Sequence, residues 1–212
     1  MGPACGADKR TGGEAIDSGD RADAPKEDEE AGAEAHLLAR ARSGDLDAFV
    51  ELIRLHDGAL RALAYRLLGD RHLMDDVLQD AYLKAFRSLC GFEGRSAFGS
   101  WLHRIAYNAC MDELRRSRRG RHLSLGEAGG LPDPAPDPAE VAAQRHDLAA
   151  ALANLPPKLR ATVLLVDAEG MDYLAAAQVL GIRVGTVRSR LSEARRRLRP
   201  ALSEGERGRD RS

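Results

Sequence analysis

The sequence predicts an all-α protein with two small helical domains joined by a proline-rich linker. Apolar residues recur at helical spacing through most of the chain, and no alternating, strand-like runs are visible. Charged residues make up 31% of the 212 residues and aromatic residues 4%, which suits small helical domains with leucine and alanine cores. The segment 126–138, GEAGGLPDPAPDP, alternates proline with other residues and favours an extended, semi-stiff connection.

Residues 1–33 are predicted to form a disordered acidic tail. Residues 1–34 contain four Lys or Arg side chains and ten Asp or Glu side chains, with almost no large apolar side chain. Such a segment cannot bury enough apolar surface to offset the entropy that it loses on ordering. We assign this tail no role beyond masking basic surfaces elsewhere, and we expect residues 203–212 to be a second flexible tail.

The first predicted domain covers residues 34–119 and contains four helices. The first is expected over Glu34–Arg42 and stops at Ser43-Gly44, and the second is capped by Asp45 and ends at Gly69. The third covers about Leu73–Leu89. The fourth follows the loop 90–95 and is capped by Ser96. Each helix has one apolar stripe, as in the second helix, where Leu46, Phe49, Ile53, Leu60, Leu63 and Leu67 share a face. Four such helices predict a small bundle.

The linker, residues 120–139, leads to a second domain over residues 140–202. Its expected helices are Val141–Leu155, a helix that restarts at Pro156-Pro157 and ends near Gly170, Asp172–Leu180 before a turn at Gly181, and a long helix over about Val184–Arg199. Two helices joined by a glycine turn, the second strongly basic, predict a helix-turn-helix.

The last helix is the strongest candidate for DNA binding. Residues 183–199 contain seven arginines and one acid, Glu193. The apolar residues at helical spacing, which must face the core, are Val187, Leu191, Ala194 and Leu198. The polar residues expected to bind DNA are Thr186, Arg188, Ser189, Arg190, Ser192, Arg195 and Arg196, with Arg199 further along the outer face. A solvated basic helix is the alternative, and the preceding helix and glycine turn favour DNA binding.

The fourth helix of the first domain offers a second candidate surface. Residues 103–121 contain six arginines and two acids. The expected outer face carries His103, Arg104, Tyr107, Asn108, Arg115 and Arg116, beside an aromatic cluster of Phe92, Phe98 and Trp101. Cations beside aromatic faces suit unpaired bases. The alternative is that Phe98 and Trp101 are ordinary core residues, which for Trp101 is favoured because Ile105 lies on its stripe.

The third helix carries a polar patch near its start. In DDVLQDAYLKAF the polar positions are Asp75, Asp76, Gln79 and Asp80. The paired acids do not predict catalysis or a metal site, because no histidine stands at ligand spacing and no nucleophile pattern is near. A solvated helix start is the default interpretation, and a protein-docking patch is the alternative.

Other features predict a cytoplasmic protein. The three cysteines, Cys5, Cys90 and Cys110, include no C-x-x-C pair and are expected to be reduced thiols. The longest apolar run, Ala161–Val166, is too short to span a membrane, and no signal peptide is recognisable. We expect no cofactor, no metal and no small-molecule substrate.

Taken together, these segments resemble the extracytoplasmic-function (ECF) sigma factors of bacterial RNA polymerase. The resemblance extends over about Leu37–Leu202. Its motifs are ARSGDLDAFVELI, DDVLQDAYLKAF and FEGRSAFGSWLHRIAYNACMDELRR in the first domain, and LPPKLRATVLL and VLGIRVGTVRSRLSEARRRLR in the second. The first domain is similar to the promoter-melting domain, sigma region 2, and the second to sigma region 4, which recognises the −35 element.

The resemblance implies an alternative sigma factor that is not itself an enzyme, with core RNA polymerase, promoter DNA and an anti-sigma factor as partners. It implies that Asp76, Gln79 and Asp80 dock on the clamp helices of the largest polymerase subunit. The −10 element would be melted and held by Phe92, Phe98, Trp101, Arg104, Asn108, Arg115 and Arg116, with one base flipped out. The helix from Val184 would read the −35 element, and the linker would pass near the active-site channel and the RNA exit path.

Two positions depart from the family pattern. Leu174-Ala175-Ala176 replaces residues that are often acidic, and Ser192-Glu193 replaces residues that are often basic or aromatic. These departures leave the fold unaffected but prevent a prediction of the −35 sequence. A stand-alone helix-turn-helix repressor or activator is the rival function, although no dimer interface or sensor domain is recognisable. A nucleic-acid-processing enzyme ranks third, since a catalytic constellation is lacking.

Overall fold

The computed structural model describes residues 24–121 and 148–209, which form helices and connecting turns. The chain divides into two compact units, Met1–His36 and Leu37–Ser212, and of the first the structure describes helical residues 24–36. Our expectations for residues 1–23, for the linker beyond residue 121, for the start of the second domain and for residues 210–212 lie outside the described residues. None of the described helices is both long enough and apolar enough to cross a membrane.

The helices follow the predicted order. They are α1 (Ala24–Arg42), α2 (Leu46–Leu68), α3 (Arg71–Ser88), a 3-10 turn (Leu89–Gly91), α4 (Phe98–Arg121), α5 (residues 148–154), α6 (Pro157–Val163) with a π-helical turn (Leu164–Ala168), α7 (Tyr173–Leu180) and α8 (Val184–Arg209). The all-α class is therefore confirmed. α1 starts ten residues before the predicted position, since its first half is rich in alanine and glutamate, which favour helices.

Local hydrogen bonds explain where several helices begin and end. The Asp45 side chain accepts a hydrogen bond from the Ala48 N–H at 3.0 Å, and Asp172 accepts one from Ala175 at 2.7 Å. Gly69 and Gly181 end α2 and α7 in the left-handed conformation, with φ of 73° and 64°. The caps that we expected at Asp45, Gly69 and Gly181 are thus confirmed.

Two helix ends differ from the sequence prediction. Ser96 was expected to cap α4, but α4 begins at Phe98, and the carbonyl oxygen of Ala97 accepts the N–H of Trp101 at 3.1 Å. Ala97 therefore occupies the N-cap position, and the Ser96 prediction is wrong. The last helix, expected to end near Arg199, continues through Pro200 to Arg209 and so enters the predicted C-terminal tail.

The helices α2, α3 and α4 enclose the core of the first predicted domain. Its largest fully buried side chains include Leu52, Leu60, Leu63, Leu78 and Leu102. α2 and α4 approach each other closely at Gly99, because glycine has no side chain. A Cβ atom at this position would lie 2.8 Å from Cε1 of His56. The bundle predicted from the apolar stripes is present.

The two predicted domains pack against each other within the unit 37–212. α7 lies on α4, and α6 contacts α2. Leu164, Leu165 and Val187 of the second domain belong to the same buried cluster as Leu52 and Leu102 of the first. A smaller cluster, Leu155, Val163, Leu191, Ala194 and Leu198, holds α6 to α8. The helical periodicity of the sequence does not predict this contact between the domains.

Arg160 on α6 provides a polar link in this contact. Its Nη1 donates to the carbonyl oxygens of Arg66 and Leu67 at 3.2 and 3.1 Å, at the end of α2. Its Nη2 donates to the carbonyl oxygen of Leu155 at 3.2 Å and to that of Ala153. The last carbonyl groups of a helix lack partners within the helix and attract a cation, so Arg160 satisfies groups from both domains at once.

We predict that replacing Arg160 with Met lowers the free energy of unfolding by about 1.5–3 kcal/mol, as expected for lost hydrogen bonds of a charged donor. Urea denaturation followed by circular dichroism measures the change. Arg54→Met, at an exposed position of α2, is the matched control and should change stability by less than about 0.5 kcal/mol. Equal stability of the two variants would show that the Arg160 link contributes nothing.

Candidate nucleic-acid and polymerase interfaces

The basic helix α8 is seated as the sequence predicts. Val187, Leu191, Ala194 and Leu198 are buried, with at most 5% of their surface exposed. Of the seven predicted DNA-binding residues, those that the structure leaves exposed are Arg188, Ser189, Ser192, Arg195 and Arg196, whereas Thr186 and Arg190 are half-buried. The predicted division of α8 into a core stripe and a polar face is confirmed.

Several of these polar side chains are already engaged within the protein. The guanidinium of Arg188 lies over the ring of Tyr173, with its carbon 5.8 Å from the ring centre. Arg195 donates to Asp167 through Nε at 3.0 Å and through Nη2 at 2.5 Å. The hydroxyl of Ser189 donates to the carbonyl oxygen of Thr186 at 3.1 Å. Neither Asp167 nor Tyr173 was among the predicted site residues.

Glu193, the one acid of this helix segment, pairs with two arginines of the same helix. Its carboxylate accepts a hydrogen bond from Nε of Arg197 at 2.6 Å and one from Arg196. These bonds, first from Arg197 and then from Arg196, hold the pKa of the Glu193 carboxyl below its ordinary value. The residue that we regarded as a departure from the family pattern therefore offsets part of the positive charge of α8.

The predicted outer face of α4 requires a correction. Arg104 and Asn108 are exposed as expected, but His103 and Tyr107 are only 4% and 6% exposed. The packing of α7 on α4 accounts for Tyr107, because it covers a side of α4 that would face solvent in an isolated bundle. His103 instead lies near His56 of α2, within the first bundle. Burial raises the pKa of the Tyr107 hydroxyl, and Arg190 of α8 acts on it in the opposite direction.

The two other predicted cations of α4 form ion pairs along the same helix. Arg115 contacts Asp112 at 2.5 Å, and Arg116 contacts Glu113 at 2.9 Å. Both guanidinium groups are nevertheless more than 60% exposed. Both members of the Arg115–Asp112 pair are exposed, and such a pair is weak, so Arg115 is available to an external anion. Glu113 is only 15% exposed, but the Arg116 side chain that pairs with it still faces solvent.

The aromatic cluster beside α4 is packed as part of the core. The ring centre of Trp101 lies 5.1 Å from that of Phe92 and 5.4 Å from that of Phe98. Phe92 and Phe98 are 5% and 3% exposed, and Trp101 is half-buried against the core. Of these three aromatic rings, only that of Trp101 is exposed enough to be accessible to a base.

The polar patch of α3 is exposed and borders α4. Asp76, Gln79 and Asp80 are all exposed. Asp76 and Asp80 line a pocket of about 170 Å³ together with Glu113 and Arg116 of α4. The structure therefore places two predicted polymerase-binding residues beside a predicted −10 residue. The described residues contain no group of three or more His, Cys, Asp or Glu side chains that could hold a metal ion.

His103 is the one buried titratable histidine of this region in the described part of the chain. Its Nδ1 lies 2.8 Å from the carbonyl oxygen of Gly99, and since a carbonyl oxygen only accepts, Nδ1 carries the proton. Burial lowers the pKa of His103, and nearby His56 lowers it further, whereas the bond to Gly99 acts in the opposite direction. His103 is therefore neutral in the folded protein at neutral pH.

We predict that His103 makes the protein less stable in mild acid. Between the lowered folded pKa and the ordinary unfolded value near 6.5, only the unfolded chain binds the proton, so the free energy of unfolding falls as pH decreases through this window. Urea midpoints measured from pH 7.5 to 5 should decrease less steeply in His103→Gln than in the parent. The exposed His72 provides the control, and a change in slope for His72→Gln alone would contradict the assignment.

Comparisons with known proteins agree with both halves of this arrangement. Residues 52–120 match the family model of sigma-70 region 2, and residues 145–198 match that of sigma-70 region 4. The chain is 39% identical over 158 residues to the ECF RNA polymerase sigma factor SigE of Mycolicibacterium smegmatis, covering 73% of this chain and 61% of that protein. It is 40% identical over 166 residues to the ECF RNA polymerase sigma factor SigM of Mycobacterium tuberculosis, covering 78% and 82%.

Solved structures show the same fold. The sigma factor RpoE of Bartonella quintana, in complex with the anti-sigma factor NepR, aligns with a TM-score of 0.63 at 29% identity and covers 73% of this chain and 96% of that one. CnrH, in complex with the cytosolic domain of CnrY, aligns with a TM-score of 0.62 at 30% identity and covers 81% and 98%.

Proposed function

This chain belongs to the ECF family of RNA polymerase sigma factors, and we propose from that premise how its residues divide the work of an alternative sigma factor. It binds core RNA polymerase and directs promoter recognition, melting and transcription initiation. The observation that carries the proposal is the pair of surfaces: a basic helix-turn-helix face on α8 and a separate polar and cationic surface on α3 and α4. A stand-alone repressor or activator has no need of the second surface, so that rival is not favoured.

We assign polymerase docking to the exposed patch Asp76, Gln79 and Asp80. Val77, Leu78 and Ala81 of the same helix are buried, so these polar side chains are free to meet a partner while the helix stays anchored. Asp76 and Asp80 belong to no metal site among the described residues, so contact with a partner protein is the role that suits these exposed acids. Charged contacts of this kind determine partner choice and association rate.

We predict that Asp80→Arg weakens binding to core RNA polymerase by about 1–3 kcal/mol, because it reverses the charge of an interface contact. The parent chain added to core polymerase should support run-off transcription from a cognate promoter, and the variant should need a higher concentration to do so. Helicity should not change, since the position is exposed. Glu51→Arg, an exposed acid on α2, is the control. Docking is misplaced if Asp80→Arg binds core polymerase as well as Glu51→Arg does.

We assign −10 melting to the surface that Arg104 and Asn108 form beside Trp101. The two polar residues lie four positions apart on α4, so their side chains share one exposed strip. Arg115 extends this strip toward the end of the helix, and Arg116 lies on the side of α4 that borders α3. Phe92 and Phe98 pack against Trp101 from the core side and hold its ring in place for a flipped base.

We predict that Asn108→Ala slows open-complex formation on a duplex promoter and has much less effect on a pre-melted template. An amide beside an aromatic wall suits an unpaired strand better than a closed groove. Stopped-flow fluorescence of a labelled −10 base measures the rate on both templates. Asn154→Ala, at an exposed site on the second domain, serves as the control. Equal losses on both templates would instead indicate a plain phosphate contact.

We assign −35 recognition to α8. Arg188, Ser189 and Ser192 lie in its N-terminal half, the part that enters the major groove in helix-turn-helix docking, and are the base-reading candidates. Arg195 and Arg196 lie further along and suit the phosphate backbone. Thr186 and Arg190, which are half-buried, flank the reading face and contact DNA at its edge.

The proposed partners are core RNA polymerase, promoter DNA and an anti-sigma protein. The last rests on the two solved neighbours, each of which is a sigma factor in complex with another protein. RNA synthesis itself belongs to the polymerase, so this chain contributes positioning and melting and no catalysis of its own. Because its polymerase works on the chromosome, we place the protein in the cytoplasm.

A further inference from the structure

The contact between Asp167 and Arg195 joins two elements that are distant in sequence. Asp167 belongs to the π-helical turn after α6, and Arg195 lies 28 residues later on α8. Both carboxylate oxygens are used: Nε donates to Oδ2 at 3.0 Å and Nη2 donates to Oδ1 at 2.5 Å. The pair is open to solvent, with 55% of the Arg195 side chain and 35% of the Asp167 side chain exposed.

The geometry of this pair leaves part of the guanidinium free. A guanidinium carries five N–H groups in a planar fork, and the carboxylate occupies the edge formed by Nε and one hydrogen of Nη2. The opposite edge, formed by Nη1 and the second hydrogen of Nη2, still presents two parallel donors. Such an edge suits a bidentate contact to a phosphate. Asp167 thus restricts the direction of Arg195 without using all of its donors.

The surroundings of the free edge point to an anion. Arg195 lines a groove on α8 whose other residues are Tyr173, Arg188, Leu191, Ser192, Arg196 and Arg199. Four guanidinium groups thus converge there. Because Arg195 lies eleven residues after the first residue of α8, it is beyond the N-terminal part that reads base edges, and a backbone phosphate is the appropriate ligand.

We propose that Asp167 is a positioning residue for promoter binding, holding Arg195 side-on so that its free edge meets a phosphate of the −35 element. The inference rests on the proposed −35 role of α8. The benefit is preorganisation, because a long side chain that is already ordered loses less conformational entropy when DNA binds. Tyr173, under Arg188, holds the neighbouring guanidinium of the same groove in a comparable way.

Simple electrostatics predicts the opposite sign for the removal of Asp167. A carboxylate near DNA repels phosphates, so its loss should strengthen binding to every sequence and steepen the salt dependence. Positioning predicts that its loss weakens binding, and only while Arg195 is present. The direction of the effect, and its dependence on Arg195, therefore distinguish the two accounts.

The test is a double-mutant cycle in the holoenzyme, reconstituted from core RNA polymerase and the full chain, on a −35-containing promoter selected with the parent holoenzyme. Fluorescence titrations at several salt concentrations give Kd for the parent, Asp167→Ala, Arg195→Ala and the double variant. Glu169→Ala is the matched control, since it removes an acid two residues after Asp167 whose pKa is affected by Arg66 and not by Arg195.

The expected result is a Kd about two- to tenfold higher for Asp167→Ala, the cost of ordering one long side chain. When Arg195 is already alanine, Asp167→Ala should not weaken binding further. Arg195→Ala alone should lower the slope of log K against log salt concentration by about 1, as the loss of one phosphate contact does. Tighter binding by Asp167→Ala, as for a general loss of charge, would overturn the proposal. So would an equal loss in both backgrounds.

Two controls keep the interpretation specific. Thermal unfolding should be nearly unchanged in Asp167→Ala, because an exposed ion pair contributes little to stability. The parent holoenzyme must first retain and transcribe the selected promoter, so failure of the proposed sigma function would appear there, before any variant is compared. A loss of promoter binding that follows a loss of stability would overturn the positioning role.

Discussion

The position of the helix-turn-helix segment in this protein depends on the half-buried guanidinium of Arg160. Arg160 donates hydrogen bonds to the carbonyl groups that end α2 and to carbonyl groups before its own helix. Burial, and to a lesser extent Arg118, lower the pKa of the Arg160 guanidinium, but an arginine in a protein keeps its charge at neutral pH. A charge in this place must keep its acceptors, so α6 has to stay near the end of α2. Because α6 in turn packs on α8, this contact also determines where the recognition helix lies.

The same packing decides which promoter contacts are available. α7 covers α4, and Tyr107, which the sequence places on the outer face, is buried with Arg190 close enough to affect its pKa. A side chain that is buried against α7 cannot contact DNA. Any role of Tyr107 in melting therefore requires α7 to leave α4, whereas Arg104 and Asn108 are accessible while α7 lies on α4. The exposed strip of α4 is accessible to DNA while α7 lies on α4, and the covered part is not.

The features that the sequence predicts correctly are those determined by local interactions. The Asp45 cap and the glycine ends at Gly69 and Gly181 follow from neighbours within four residues, and the buried stripe of α8 follows from helical periodicity. The error at Tyr107 has a different origin, since an apolar stripe defines the side of a helix that faces its own bundle and carries no information on a second domain. His103 was misassigned because a polar side chain can lie on the inner side of a bundle, here near His56 of α2. The pairing of distant side chains, such as Asp167 with Arg195, has no periodic signal at all.

These ion pairs reduce the positive charge that α8 presents to DNA. Counted from the sequence, residues 183–199 carry seven arginines and one acid, which would attract any polyanion. In the folded protein Glu193 offsets Arg196 and Arg197, and Asp167 offsets Arg195. Each pair reduces the long-range attraction to DNA but leaves donors that act at contact distance and in a restricted direction. These ion pairs thus lower the sequence-independent affinity of α8 for DNA. The affinity that remains depends on the position of each phosphate and base edge along the promoter.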